Sequence, residues 1–392
     1  MNIILFDDQL VDHLLPFTFT RPTGDLRVGI LTIKEKWELL TKSVKGDVSF
    51  QTKEYLSEKF PCKSTHDSYY INGAVLPSID LLSEIQKLEI GQGICVGDRL
   101  IAARSDDFNV KSHSSIEFNH YQGDVDLLNH PWDLFTKNER EIKSDFQLLT
   151  ANRKSQPISN TNQVLGGENV FVEEGAKIEC AIINATTGPV YIGRHAEVME
   201  GCLIRGPFSL NENATLKMGA KIYGATTIGP GCKVGGEVSN SLFIGNANKA
   251  HDGFLGNSVI GEWCNLGADS NTSNLKNNYS NVKVWSYKEQ KMVDTGLLFC
   301  GLMMGDHSKC GINTMFNTGT VIGVSANVFG AGFPDKFIPS FTWGGTADSE
   351  KFILDKATIL ARKVMSRRGI TMSESDERIL SEVFLLDTAI NK

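Results

Sequence analysis

The chain has 392 residues, more than one ordinary core takes, so two or more domains are expected. Hydrophobic content of 41% and charged content of 22% are those of a globular protein, and no apolar run approaches the ~20 residues that span a bilayer. A formal charge of -7 argues against nucleic-acid or anionic-membrane partners, while leaving room for local cationic sites that take small anions.

The opening residues, Met1 to Asp8, lack a basic stretch and meet acid at once, which reads as a buried strand rather than a signal peptide. A cytoplasmic location is the expectation. Strand-like runs follow at Ser68–Ile71 and Ile94–Val96, and helix-like segments at Ile33–Thr41, Ile79–Gln86 and Trp132–Phe135. This alternation predicts a small α/β layer over residues 1–150, closed by the polar, proline-bearing stretch Leu149–Asn162.

A ladder at spacing six then begins. Ile192, Val198, Ile204, Leu210, Leu216, Ile222, Ile228 and Val234 form its clean part, with Val172 and Ile178 as an opening rung. The register slips, resumes at Ile260, Leu266 and Thr272, and runs again through Met304, Cys310, Phe316, Ile322 and Val328. Six is not a helix period, and simple alternation does not single out such residues. A short flat strand plus a corner does, three of them closing one triangular coil of about 18 residues. The rung residues are aliphatic because the prism interior is dry. Glycine and asparagine sit where the chain turns, at positions that need positive φ or lack room for a Cβ. The solenoid is predicted over 163–335, its exposed apolar ends and faces calling for covering partners, with 284–300 as a protruding hairpin or loop.

The tail, 336–392, reads as helical. Ile353, Ala357, Leu360 and Val364 make one apolar stripe with Ser349 as N-cap, and Gly369 after Arg367-Arg368 is a stop. Thr371 with Glu374 predicts a capping box for a last helix through Leu386. The eight cysteines, several at rung positions, show no CxxC pair and read as reduced core residues rather than disulfides or zinc ligands.

Two sets of residues carry candidate chemistry. His251 falls where the ladder slips, so its side chain need not point inward. A histidine there suits the removal of a proton from an amine or hydroxyl that attacks a thioester, with a backbone N–H or asparagine facing the developing oxyanion. It also reads as an ordinary surface histidine, as do His195 and His307 at repeat turns. In the first domain, Arg21 and Arg27, with Lys34 or Lys36, are candidates for a nucleotide's phosphates. They read equally well as ion-pair partners of Asp7, Asp8 or Asp25 that hold a loop. Asp7, Asp8 and Asp98 are the carboxylates available to a metal, and none completes a recognisable set.

The segment Lys249-Ala250-His251, Leu255-Gly256-Asn257, Asn265-Leu266-Gly267-Ala268-Asp269 and Asn274 resembles the acetyltransferase half of the bifunctional N-acetylglucosamine-1-phosphate uridylyltransferase/glucosamine-1-phosphate acetyltransferase family, archaeal-type members above all. The N-terminal signature, Thr20-Arg21-Pro22, Leu26-Arg27-Val28-Gly29 and Glu35-Lys36-Trp37, resembles a divergent sugar nucleotidyltransferase group that accompanies such solenoids. The resemblance implies an α/β nucleotidyltransferase-like domain, a left-handed parallel β-helix, C-terminal helices and a homotrimer. It places His251 on the catalytic base, Asn265, Asn274 and Lys283 near the sugar or acetyl-CoA, and Asn72 on a Mg²⁺-binding aspartate. The family's tyrosine is Phe254 here, and its sugar-phosphate cations fall near Ser239-Asn240 and in Ile228-Gly229-Pro230. The implied function is sugar-1-phosphate nucleotidyl transfer from an NTP with Mg²⁺, coupled to acetyl-CoA-dependent N-acetylation, giving a UDP-N-acetylhexosamine-type product. A single-activity enzyme with one half vestigial, and a non-catalytic sugar-nucleotide-binding trimeric scaffold, remain open alternatives.

Overall fold

The computed structural model describes residues 1–42, 47–110, 116–346 and 348–390. They form two compact units, Met1–Arg27 with Leu31–His130, and Val28–Ile30 with Pro131–Lys392.

In the first unit, strand Asn2–Phe6 lies between Val48–Gln51 and Ser68–Asn72, parallel to both. The sheet continues through Arg99–Ser105, Gln92–Val96 and Glu117–His120. The central strand is almost fully buried because Ile3, Ile4, Leu5 and Phe6 face cover on both sides. Helix Ile33–Leu40 starts at a reciprocal cap, with Thr32 Oγ1 accepting from the Glu35 N–H and the Glu35 carboxylate from the Thr32 N–H. The chain runs from Asn2–Phe6 to one side and then crosses to the other, so the carboxyl ends of Asn2–Phe6 and Ser68–Asn72 lie at the switch point where sheets of this kind place a ligand crevice.

The second unit is a three-sided parallel β-helix, the left-handed hexapeptide type of fold expected. Two of its sides are sheets of nine short parallel strands each, one of them edged by the antiparallel strand Glu350–Lys351, and the third is a sheet of six extended by a further pair. Every rung of the clean ladder points inward. Ile192, Val198, Ile204, Leu210, Leu216, Ile222, Ile228 and Val234 are all at most 3% exposed and share one core with Ile260, Leu266, Met304, Phe316 and Val328. Six cysteines are buried, four of them in that core.

Two devices make the corners. Gly193 and Gly229 have ordinary backbones, but a Cβ on either would run into the main chain of the next coil, at Asn211 and Ile244. The left-handed corners are separate positions, taken by glycines such as Gly201 and Gly219 and by other residues that include Asn213, Asn246, Asn257, His195 and His307.

The slip after Val234 is a shortened coil. Ile228 pairs with Phe243 and Val234 with Lys249, which therefore occupies a rung. The second irregularity is an insertion. The chain leaves the solenoid at Asn274, forms the antiparallel hairpin Lys283–Ser286 and Lys291–Asp294, and returns where Cys300 N–H donates to the Asn274 carbonyl.

The tail departs from the sequence reading in three ways. The solenoid continues through Phe337–Ile338 and Thr342–Trp343. Helix Leu354–Ser366 buries Ala357, Ala361 and Met365, one step round from the expected stripe, leaving Ile353 exposed as its uncapped first boundary in place of Ser349. Small alanines allow closer approach than Leu360 and Val364 would. The capping box of Glu374–Ile390 is made by Ser373 and Asp376, whose side chains each accept from the other's N–H, so Thr371 and Glu374 play no such part. Gly369 ends the preceding helix in a left-handed conformation, as expected.

The domain boundary also moves. Residues 138–150, placed in the first domain from sequence, form helix Asn138–Thr150 and belong to the second unit. Asn138 Oδ1 accepts from Gly29 N–H and Asp145 Oδ2 from Ile30 N–H, both at 2.8 Å. Asn138 Nδ2 donates to the Ala225 carbonyl and Asn211 Nδ2 to that of Ile30. These buried polar groups satisfy one another and tie the helix to the solenoid.

Candidate functional site

His251 stands at a corner between strands Asn248–Lys249 and Phe254–Gly256, on adjacent sides of the prism. It is exposed. The corner is stacked between two others: Gly235-Gly236 pack against it from one coil, and Asp269 N–H donates to the Asp252 carbonyl from the next. Gly253 has φ +116°, and a Cβ there would collide with the Ser270 carbonyl.

Beneath this corner lies Lys249, 2% exposed in an otherwise apolar interior. Its ammonium donates to the carbonyls of His251 at 2.6 Å and Gly235 at 3.1 Å. Burial pulls its pKa down to about 8, against the weaker opposing pull of Asp252 and Asp269. The sequence ladder passed over this residue. A charged side chain at a rung was the signal, hidden by the short coil.

Asn265 and Asn274 lie on different sides of the coil next to His251's. Asn248 Nδ2 donates to Asn265 Oδ1 at 2.8 Å, and Asn274 Nδ2 to Asn257 Oδ1 at 2.9 Å. Lys283 is exposed at the start of the inserted hairpin. Phe254 N–H donates to Asn271 Oδ1, a link sequence reading missed.

In the first unit the crevice gathers Asp7, Asp8, Asn72 and Arg99. Asp8 Oδ2 accepts from Asn72 Nδ2 at 2.7 Å and Arg99 Nε at 2.8 Å. Asp7 is deeper, and burial raises its pKa although Thr52 Oγ1 and Thr23 N–H both donate to it. Asp98 is exposed in the turn before Arg99 and stands apart. Arg21 and Arg27 are each 6% exposed, and pair with Asp25 at 3.7 Å and Glu35 at 3.4 Å. Lys34 pairs with Glu38, and Lys36 is buried. Arg99 was not anticipated; nothing in its local sequence marks it.

These carboxylates do not fit a Mg²⁺ site as they stand. Asp8 is engaged by a guanidinium, both Asp7 oxygens are taken by the loops, and among the described residues no three of His, Cys, Asp and Glu cluster as a metal set.

An α/β unit joined to a hexapeptide-repeat β-helix, with an exposed histidine at an irregular corner, defines the class of the molecule. Residues 3–154 match the family described as sugar nucleotidyl transferase. The bifunctional protein GlmU of Methanocaldococcus jannaschii is 28% identical over 228 residues, 58% of this chain and 48% of its own. GlmU of Methanococcus maripaludis strain C5 is 29% identical over 216 residues, 55% and 45% of the two chains. An uncharacterized acetyltransferase, YaiX, of Escherichia coli O6:K15:H31 is 26% identical over 200 residues, 50% of this chain and 84% of its own. The family resemblance read from the motifs is borne out, and the chain spans about half the length of the GlmU relatives it matches. Among the described residues no helix is long and apolar enough to cross a membrane.

Proposed function

We propose that the protein is a transferase whose solenoid acetylates an amino sugar with acetyl-CoA and whose first unit joins a sugar 1-phosphate to the nucleotide of an NTP, yielding a UDP-N-acetylhexosamine-type product. The observation that carries the reading is the exposure of His251 at the irregular corner. There the imidazole takes a proton from the amine as its nitrogen bonds to the thioester carbon; the C–S bond then breaks and the thiol of coenzyme A departs with a proton. Asn265 and Asn274 supply polar contacts to the sugar or the acyl donor. Assembly is as a homotrimer, with acetyl-CoA held between solenoids.

In the first unit the sugar phosphate oxygen attacks the α-phosphorus and pyrophosphate leaves. Arg21, Arg27 and Lys36 fix the loop over the crevice, and Arg99 is the cation that lines it beside Asn72. No step is assigned to Mg²⁺, given the engaged carboxylates. That engagement favours a second reading for this half alone, in which it binds a sugar nucleotide without turnover.

Incubation of the protein with acetyl-CoA, a panel of hexosamine 1-phosphates and each NTP with Mg²⁺ tests both. Release of thiol and of pyrophosphate is expected. Thiol without pyrophosphate selects the second reading. Neither product, with no thermal stabilisation by any acyl-CoA, leaves a scaffold and refutes the proposal.

A further inference from the structure

We propose that the solenoid carries a phosphate-binding cavity beneath its C-terminal helix, which holds the phosphorylated end of a small sugar substrate. The cavity measures about 380 Å³ and lies within the second unit. Four cations line it, Lys233, Lys309, Arg367 and Arg368, and among the described residues none of its lining side chains is acidic. Two of the four come from the solenoid face and two from the end of helix Leu354–Ser366, so the helix brings charge onto charge. Like charges so gathered repel unless an anion lies between them.

The arrangement is built rather than incidental. Lys233, Asn248, Asn265 and Lys309 occupy the same outward position in four successive strands. Between the two lysines stand two amides, bonded to each other. Arg368 Nη1 is anchored on the Gly231 carbonyl at 2.6 Å and Lys309 Nζ on that of His307 at 2.6 Å, which leaves further N–H groups of both for a ligand. Trp263 lines the cavity from a corner with φ +62°, and its ring stacks on His307, itself at φ +61°, with centroids 6.3 Å apart. Both belong to the column of left-handed corners that also holds Asn246, so the solenoid's own turns fix this wall in place. Burial also holds the Lys309 pKa down to about 8, which a bound anion would reverse.

Size selects the occupant. The cavity is at the small end of the roughly 300–1,000 Å³ of ligand sites, suiting a sugar phosphate rather than a whole dinucleotide-sized cofactor. Its position agrees, because Asn248 is three residues from His251, at most about 10 Å of extended chain. Ser239, Asn240 and Ile228–Pro230 offer no cation for a phosphate, and this cavity supplies four. The identity of the ligand as an amino-sugar phosphate rests on the acetyl-transfer reading; the anion site does not.

Calorimetric titration of the intact protein, without acetyl-CoA, uses glucosamine 1-phosphate, inorganic phosphate, glucosamine and coenzyme A as probes. The wild type is compared with Lys233→Gln/Arg367→Gln, two exposed positions whose change leaves the melting temperature as a control on folding. Glucosamine 1-phosphate is expected to bind about tenfold or more tightly than glucosamine, and the double variant to lose that advantage. Equal binding of the two sugars, or an unaltered variant, overturns the site. Displacement of glucosamine 1-phosphate by coenzyme A with the same variant dependence overturns its assignment to the sugar. Variant-sensitive binding without thiol release on adding acetyl-CoA sinks the acetyl-transfer reading and leaves the anion site standing. Thiol release with variant-insensitive KM does the reverse.

Discussion

Lys249 stands where the interior demands an aliphatic side chain, and it stitches the corner bearing His251 to the coil before it. Its folded pKa of about 8 lies below the ordinary 10.5. Between those values the unfolded chain binds the extra proton, so stability rises as pH increases from about 8 towards 10.5; below about 8 the penalty is constant. That penalty is on the order of 3 kcal/mol. Thermal melts from pH 7 to 10 are therefore expected to show the wild type gaining stability relative to Lys249→Met, whose profile is flatter over that window. Parallel profiles would place the ammonium in a wetter site than its burial indicates. Gly253 makes a second test at this scale. Gly253→Ala must hold φ +116° and clear the Ser270 carbonyl, so a loss of about 1–3 kcal/mol in chemical denaturation is expected.

At the scale of elements, the solenoid was legible because its period is enforced at every turn by one dry interior; eight successive rungs from Ile192 to Val234 point inward as read. Where the coil shortened, the period failed, and Lys249, read only as part of a motif, was not seen to be a rung. The tail helices were legible as helices but not in their faces: Ala357 and Ala361 pack better than Leu360 because close approach, not hydrophobicity, decided the stripe. Helix Asn138–Thr150 was missed since three of its four buried residues, Asn138, Glu141 and Asp145, are polar and only Ile142 is apolar, too little for an apolar periodicity to reveal. For the candidate site, His251 and Asn265 were visible from local motifs. The cation cavity was not, because Lys233, Lys309 and Arg367 meet only after the chain has coiled and returned. Ile228→Ala is expected to cost about 2–5 kcal/mol, read by denaturant melting, as befits a rung with no exposed surface.

For the molecule as a whole, the solenoid faces bear on assembly. Ile182 and Leu203 are register partners on adjacent strands and remain 39% and 46% exposed. The proposed trimer would cover apolar surface of this kind. Leu203→Asp is expected to lower the sedimentation mass from trimer towards monomer while the fold persists; an unchanged mass would put the contact on another face. In the proposed function acetylation and nucleotidyl transfer belong to separate units, so a variant of either is expected to spare the other reaction.

The imidazole at position 251 carries the proposed acetyl transfer. Its most direct test is the rate of thiol release from acetyl-CoA, with the preferred amino sugar, by wild type and His251→Gln of equal circular dichroism. A fall in kcat of about 10²–10⁴ is predicted for the loss of a general base. A variant that turns over acetyl-CoA at the wild-type rate would contradict it.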